Sequence, residues 1–365
     1  MKTAYYIGMM SGTSLDGVDA ALADFNRSPP SLLGTFYLPY SPDLRGRLLE
    51  LHQAGVDELH RAAMLGNELS RHYADAVGGL LRDSGVSRGE VRAIGCHGQT
   101  VRHCPQAERA YTIQLFNPAL LAELTGVTVV ADFRSRDIAA GGQGAPLVPA
   151  FHSALFMHSE CHRIIVNIGG ICNLTSLARG QVAGYDCGPG NMLMDAWCSH
   201  HTGEPYDENG NWARSGEVIE SLLERFLALP FFSLPPPKSA GREQFNFTWL
   251  ESCLNGNEKP EDVQATLLEL TVQSISRSVF QYFPRAAELY LCGGGARNGA
   301  VITRLGLTMP GKTIELTDRL GVSADWVEAF AFAWLAKQAI SGVPANLPVV
   351  TGARDSRILG AIYQA

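Results

Sequence analysis

The sequence predicts an α/β protein of two domains that share a duplicated fold. Three observations carry that reading. At 365 residues the chain is too long for one ordinary core, and two domains are the expectation. A strand, glycine turn, strand, strand pattern opens the chain and recurs from Ile164. Between the two copies, strand–helix–strand order calls for a partly parallel sheet. Identity between the halves is negligible, so the repeat is one of pattern.

Residues 4–7 and 18–25 are apolar runs on either side of a turn that holds Gly12 and Gly17. Residues 32–38 form a third strand before Pro39 and Pro42. Leu44, Leu48 and Leu51 mark a helix. From about Asp57 a longer helix follows, with Leu59, Ala63, Leu69, Tyr73, Val77 and Leu80 spaced at three and four. Residues 91–96 are a strand that leads into His97-Gly98-Gln99-Thr100. Asn117 caps a helix with Pro118 at its first position, and Gly126 ends it. Residues 127–131 are a buried strand that stops at Asp132. Residues 138–146, with Gly141, Gly142 and Gly144, read as a bending boundary between domains, the alternative being a plain flexible loop.

The second copy has strands at 164–168, 171–177 and 181–186, with Gly169-Gly170 in the first turn. Asn191 is expected to cap a helix from Met192. A proline-rich loop at 234–242 is rigid. Val263, Leu267, Leu270, Ile275, Val279 and Tyr282 line a long helix. The strand at 288–292 feeds Gly293-Gly294-Gly295-Ala296-Arg297-Asn298 and another helix. A last long helix spans 324–340, with Glu328 near its start.

Several stretches suggest chemistry. The turn at 8–19 carries two glycines, the hydroxyls of Thr13 and Ser14, and the Asp16 carboxylate. Glycine lets backbone N–H groups approach an oxyanion, and hydroxyls add donors. Asp16 would repel a bare phosphate but suits one joined to Mg²⁺. An ordinary hairpin tip has the same composition. Asp186 ends a strand and faces a glycine-rich turn at a helix N-terminus, where open α/β sheets place ligands. A carboxylate there can serve as a general base or simply accept turn N–H bonds. The 293–298 turn nearly matches the dinucleotide fingerprint but lacks its last glycine. It also suits an adenosine lying against backbone, with Asn298 capping the next helix, or a plain tight strand-to-helix turn.

Two decoys are set aside. Residues 306–313 match the P-loop letter for letter, but a helical run precedes them and a strand-like run follows, the reverse of what that loop needs. Cys96-His97 and His103-Cys104 lack zinc-knuckle spacing. His152, His158 and His162 read as helix-surface or turn histidines. A net charge of −7 with no basic run argues against nucleic acid and anionic membrane surfaces as partners. No apolar run is long enough for a signal-peptide core or a membrane span. The eight cysteines are scattered without a C-x₂-C pair, which fits reduced thiols in a cytoplasm.

Together the motifs resemble the anhydro-N-acetylmuramic acid kinases over essentially the whole chain. The resemblance rests on residues 8–19, Cys96-His97-Gly98-Gln99-Thr100, Asp132-Phe133-Arg134, residues 140–149 and Asn167-Ile168-Gly169-Gly170. It continues through residues 184–197, Pro237-Lys238-Ser239, Gly241-Arg242-Glu243 and Cys292-Gly293-Gly294-Gly295. It implies the duplicated actin-like, ribonuclease H-like fold of two-domain sugar kinases, with ATP in the interdomain cleft. Domain I is then residues 1–137 with 345–365, and domain II residues 138–344. The resemblance also implies a cytoplasmic homodimer that uses ATP, Mg²⁺ and water to open 1,6-anhydro-N-acetylmuramic acid. The products are N-acetylmuramic acid 6-phosphate and ADP, in cell-wall recycling.

On that basis Asp186 is the expected base, acting on water because the substrate's bridged O6 has no proton to lose. Gly12, Thr13, Ser14, Leu15, Asp16, Gly17, Val18 and Asp19 form the first nucleotide loop, with Asp16 meeting Mg²⁺ directly or through water. Asn167, Gly169 and Gly170 form the second. Gly293, Gly294, Gly295 and Asn298 take the adenosine side. Arg134 is expected to grip the sugar's lactyl carboxylate, with His97 and Glu328 as further sugar contacts. Two other classes remain open on sequence: a sugar kinase or ATPase acting on a free hydroxyl, and a non-catalytic nucleotide-gated module.

Overall fold

The computed structural model describes residues 4–365 other than Thr13, Ala107 and Glu243. Its contacts divide the chain into Met1–Leu155 with Trp326–Ala365, and Phe156–Asp325. Residues 138–155 and 326–344 thus belong with the first unit, where the sequence reading gave them to the second domain. Buried Asp137 is one reason. Its side chain accepts from Gly144 N and from the side chains of Asn346 and Thr351, which pins the glycine segment instead of leaving it free to bend.

In the first unit, β1 (Tyr5–Ser11) and β2 (Gly17–Asp24) form an antiparallel hairpin, and β3 (Ser31–Pro39) extends it. Met9 and Met10 belong to the strand, so the turn closes over residues 12–16. Ser41 caps α1 (Pro42–Glu50) by accepting from Leu44 N. The long α2 (Glu58–Ser84) buries Leu65, Leu69, Tyr73, Val77 and Leu80. Leu59 and Ala63 are exposed instead; periodicity marks a face but not how far a partner extends along it. β4 (Val91–Cys104) runs straight through His97–Thr100 and lies parallel to β1. β5 (Tyr111–Leu115), which no sequence signal announced, pairs antiparallel with its later half. Asn117 accepts from Leu120 N to cap α3 (Pro118–Thr125), and Gly126 ends it at φ 60°. β6 (Val129–Ala131) is parallel to β4, and α4 (Ser135–Ala139) and α5 (Val148–Phe156) follow.

In the second unit, β7 (Arg163–Ile168), β8 (Ile171–Ala178) and β9 (Gln181–Pro189) form an antiparallel meander. α6 (Met192–Thr202), α7 (Glu220–Leu227), α8 (Pro230–Ser233) and α9 (Phe247–Ser252) lead to the largely buried α10 (Pro260–Tyr282). β10 (Glu288–Cys292) is parallel to β7. α11 (Gly299–Thr308) precedes β11 (Thr313–Leu316), so the P-loop look-alike does run from helix to strand. The chain then returns to the first unit with α12 (Val327–Ile340), α13 (Pro348–Thr351) and β12 (Ala361–Tyr363).

The first sheet is ordered β12-β6-β4-β1-β2-β3 and the second β11-β10-β7-β8-β9. Matching β1–β4 and β6 to β7–β11 gives one strand order and one set of directions in both units. The expected duplication is therefore present in topology. In the first unit α12 lies against β1 and β4 so closely that a Cβ at Gly8 or Gly95 would strike its backbone, at Ala329 and Phe332 respectively. Among the described residues no helix is long and apolar enough to cross a membrane.

Candidate active site

The first candidate turn stands at the C-terminal end of β1. Leu15 takes a left-handed φ of 57°, unusual for a branched side chain, and is fully buried. That conformation turns the side chain of Asp16 outward, where it is exposed. Ser14 Oγ donates to Asp16 Oδ1 at 2.8 Å. The Asp16 carbonyl accepts from Tyr40 N at 2.9 Å and from the Tyr37 hydroxyl at 2.9 Å. Burial first, then the charges of Asp16 and Asp19, push the Tyr37 hydroxyl up to about 12. Val18 is buried in β2, so Leu15 and Val18 can offer a nucleotide only their backbone. Thr13 lies outside the described residues.

Beneath the turn is a polar support that sequence reasoning did not single out. Gln99 Nε2 donates to the Gly12 carbonyl at 3.1 Å, and its Oε1 accepts from Ser11 Oγ. Ser11 Oγ is 2.6 Å from the Tyr40 hydroxyl, itself 3.2 Å from that of Tyr73. The available signal was Gln99 within the Cys96–Thr100 motif. Buried polar groups need partners, and the structure supplies those of Gln99 from the turn and from Ser11.

His97 and Arg134 come together in the same unit. Arg134 Nε donates to His97 Nε2 at 2.9 Å, and its Nη1 donates to the Gly144 carbonyl at 2.7 Å. Burial, then the adjacent guanidinium, hold the His97 pKa well below the usual value. The imidazole is thus neutral, with Nε2 as acceptor. His97 is 3% exposed, and its Nε2 is engaged by Arg134. Glu328 is half-buried in the first turn of α12. His152 is a further correction. It is 1% exposed on α5 rather than at a helix surface, and burial lowers its pKa to about 3.

The second unit gathers its candidates toward the C-terminal ends of its strands, because β7, β9 and β10 point the same way. Gly169 and Gly170 turn β7 into β8, and their carbonyls accept from Asn191 N and Gly190 N, each at 2.9 Å. Asn191 opens α6 but its side chain does not cap it. Asn167 is buried and its Oδ1 accepts from the Cys292 thiol at 3.9 Å. Asp186 lies on β9, and its Oδ2 accepts from Ala240 N at 3.0 Å while its own N–H donates to the Lys238 carbonyl at 3.1 Å. Lys238 Nζ donates to the Phe231 carbonyl at 3.0 Å and sits 4.5 Å from the centre of that ring. Burial lowers its pKa. The loop read only as rigid is therefore what holds Asp186. Asn298 Oδ1 accepts from Ala300 N and Val301 N, capping α11.

The family model for anhydro-N-acetylmuramic acid kinase matches residues 4–365. The chain belongs to that family. Relatives agree with the assignment along its length. The protein named anhydro-N-acetylmuramic acid kinase in Nitrosospira multiformis is 65% identical, covering 100% of both chains. Its counterpart in Nitrosomonas europaea is 65% identical over 99% of this chain and 100% of its own. Among solved structures, the activator of the 2-hydroxyisocaproyl-CoA dehydratase from Clostridium difficile, with bound ADPNP, aligns with 93% of this chain and 98% of its own. The identity is 13% and the TM-score 0.49, a likeness that adds nothing to the family assignment.

The glycines of this family member separate into two kinds. A Cβ at Gly17 would lie 2.5 Å from the Leu38 carbonyl oxygen, one at Gly293 would strike Asn167, and one at Gly295 would strike Ile168. Those three are required by packing. Gly12, Gly169 and Gly294 are different. The nearest atoms to an added Cβ are 3.6, 3.6 and 3.9 Å away, ordinary van der Waals distances, so packing does not demand a glycine there. Glycine backbone beside an exposed carboxylate, as at Gly12 and Asp16, suits a metal-bound phosphate chain.

Proposed function

We propose that this enzyme is an ATP-dependent kinase that opens 1,6-anhydro-N-acetylmuramic acid with water and phosphorylates O6. It yields N-acetylmuramic acid 6-phosphate and ADP for cell-wall recycling. Family membership over residues 4–365 supports the reading most directly. Asp186, braced by backbone at a sheet edge, supplies a base of the right kind.

In this reading Asp186 takes a proton from a water that attacks C1. The C1–O6 bond breaks, and O6 forms its bond to the γ-phosphorus as the bond to the ADP oxygen breaks. The Ala240 N–H orients the acting carboxylate. The backbone of residues 12–19, with the Thr13 and Ser14 hydroxyls, takes the phosphates in the first unit. Gly169 and Gly170 do so in the second, with Asn167 bracing the turn. Gly293, Gly294, Gly295 and Asn298 shape the adenosine side. Asp16 would hold Mg²⁺ directly or through water, and the ion would supply charge neutralisation at the phosphates. Arg134 grips the lactyl carboxylate with two bonds, His97 orients Arg134, and Glu328 contacts the sugar. The enzyme works as a cytoplasmic homodimer.

Turnover of the anhydro sugar with MgATP in ¹⁸O-water, followed by mass spectrometry, tests the reaction. The expected product is a phosphorylated sugar carrying one ¹⁸O at C1. Asp186→Asn is expected to bind nucleotide normally and lose about a thousandfold in kcat. ADP release without label in the sugar would overturn the hydrolytic step in favour of a conventional kinase or a wasteful ATPase.

A further inference from the structure

Asp137 has no part in the chemistry above, yet it is fully buried in α4 at 0% exposure. Its two oxygens do different work. Oδ1 accepts from Asn346 Nδ2 at 2.6 Å and from Thr351 Oγ1 at 2.8 Å, fastening the C-terminal segment. Oδ2 accepts from Gly144 N at 2.8 Å. Gly144 holds a left-handed φ of 67°, and its carbonyl accepts from Arg134 Nη1 at 2.7 Å. The backbone of one glycine, through its N–H on one side and its carbonyl on the other, thus links a buried carboxylate to the guanidinium. The other side of that guanidinium is set by His97, through Arg134 Nε. Gly142 lacks a side chain for the same reason, since a Cβ there would strike Asp137 Oδ2.

We propose that Asp137 is a positioning residue for substrate recognition: by fixing the Gly144 backbone it aims the Arg134 guanidinium at the carboxylate of the sugar substrate. The proposal rests on the reading of Arg134 as the carboxylate grip. A guanidinium presents its donors in a rigid fork, so a small rotation of its frame costs it a bidentate partner. Asp137 acts on sugar affinity, and the nucleotide turns of the chain are untouched by it.

The chemistry of an amide makes the test selective. In Asp137→Asn the remaining oxygen is best used toward Asn346 and Thr351, two donors, which turns the –NH₂ toward the Gly144 N–H. The Gly144 link breaks while the fastening of the C-terminal segment survives. The expected result is a KM for the anhydro sugar raised about tenfold, with KM for ATP unchanged. Gly142→Ala displaces Oδ2 sterically and should give the same split if Asp137→Asn folds poorly. Thr351→Val removes a bond on the Oδ1 side only. It should lower the melting temperature and leave the sugar KM in place. In an Arg134→Ala background, Asp137→Asn should add no further loss, as expected of residues acting through one another.

A sugar KM raised equally by Thr351→Val and Asp137→Asn would reduce Asp137 to a stability element and overturn the proposal. So would a raised KM in Arg134→Ala with none in Asp137→Asn or Gly142→Ala. An unchanged sugar KM in Arg134→Ala removes the carboxylate grip itself, and the proposal falls with it.

Discussion

Gly12, Gly169 and Gly294 have room for a Cβ at ordinary contact distances, whereas Gly17, Gly293 and Gly295 are glycines because neighbouring atoms leave no room. Substitution by alanine should therefore have opposite signatures. Gly12→Ala and Gly169→Ala are expected to raise KM for ATP about tenfold or more with melting temperatures near wild type. Gly17→Ala should cost about 2 kcal/mol of stability, read as a lowered denaturation midpoint. Equal stability losses in both groups would remove the distinction. The sequence shows all six as turn glycines and cannot separate them, because the deciding atoms belong to residues distant in the chain, such as Leu38 beside Gly17. His97 shows the same limit. A histidine in a motif suggests contact with substrate. Its burial and its bond to Arg134 depend on β6 and α4 arriving beside β4.

At the scale of elements, local signals worked where one side chain closes one turn. Asn117, Pro118 and Gly126 define both ends of α3 as read from sequence. Asn191 carries the same signal and does not cap. Its backbone is helical, at φ −88° and ψ −14°, not extended as an N-cap requires. Its N–H is drawn instead to the Gly169 carbonyl. Helix α12 illustrates packing that only contact reveals. Gly8 and Gly95 let its backbone rest on β1 and β4, and Ala329, Ala333 and Ala336 keep the touching side small. Gly8→Ala is expected to destabilise the protein by about 3 kcal/mol or more, since the obstruction is backbone and cannot rotate away. A denaturation midpoint within error of wild type would show that α12 can shift outward at little cost.

At the scale of the molecule, acid stability follows from histidines buried neutral in the first unit. Burial holds His152 at about 3 and, with Arg134, holds His97 well below its usual value. Burial and Arg134 also take His103 down to about 4. Each folded pKa lies below the unfolded value of about 6.5, so the unfolded chain binds the extra protons. Stability is therefore complete above about pH 6.5 and falls as pH drops from there toward the folded pKa values. The slope is about 1.4 kcal/mol per pH unit for each fully buried histidine. Melting curves between pH 8 and pH 4.5 should show this decline, and His152→Leu should make it shallower. A flat profile would mean these histidines gain compensating partners when protonated.

Repeated strand patterning and apolar periodicity pointed to a two-domain α/β fold with a duplicated pattern, and the motifs of residues 8–19, 96–100, 140–149 and 184–197 carried the resemblance to the family, without reference to structure. These are local properties, carried by residues a few positions apart, and several long motifs in fixed order are specific. The assignment of 138–155 and 326–344 to the first unit, the bracing of Asp186 by the Lys238–Ala240 backbone and the Asp137–Gly144–Arg134 link were decided only by tertiary structure. The first two join segments separated by tens to hundreds of residues, and the third is a short loop held in place by Asn346 and Thr351 from far along the chain. A hydrogen bond or steric exclusion across such a distance leaves no periodic trace in either segment, because its geometry exists only once both have packed.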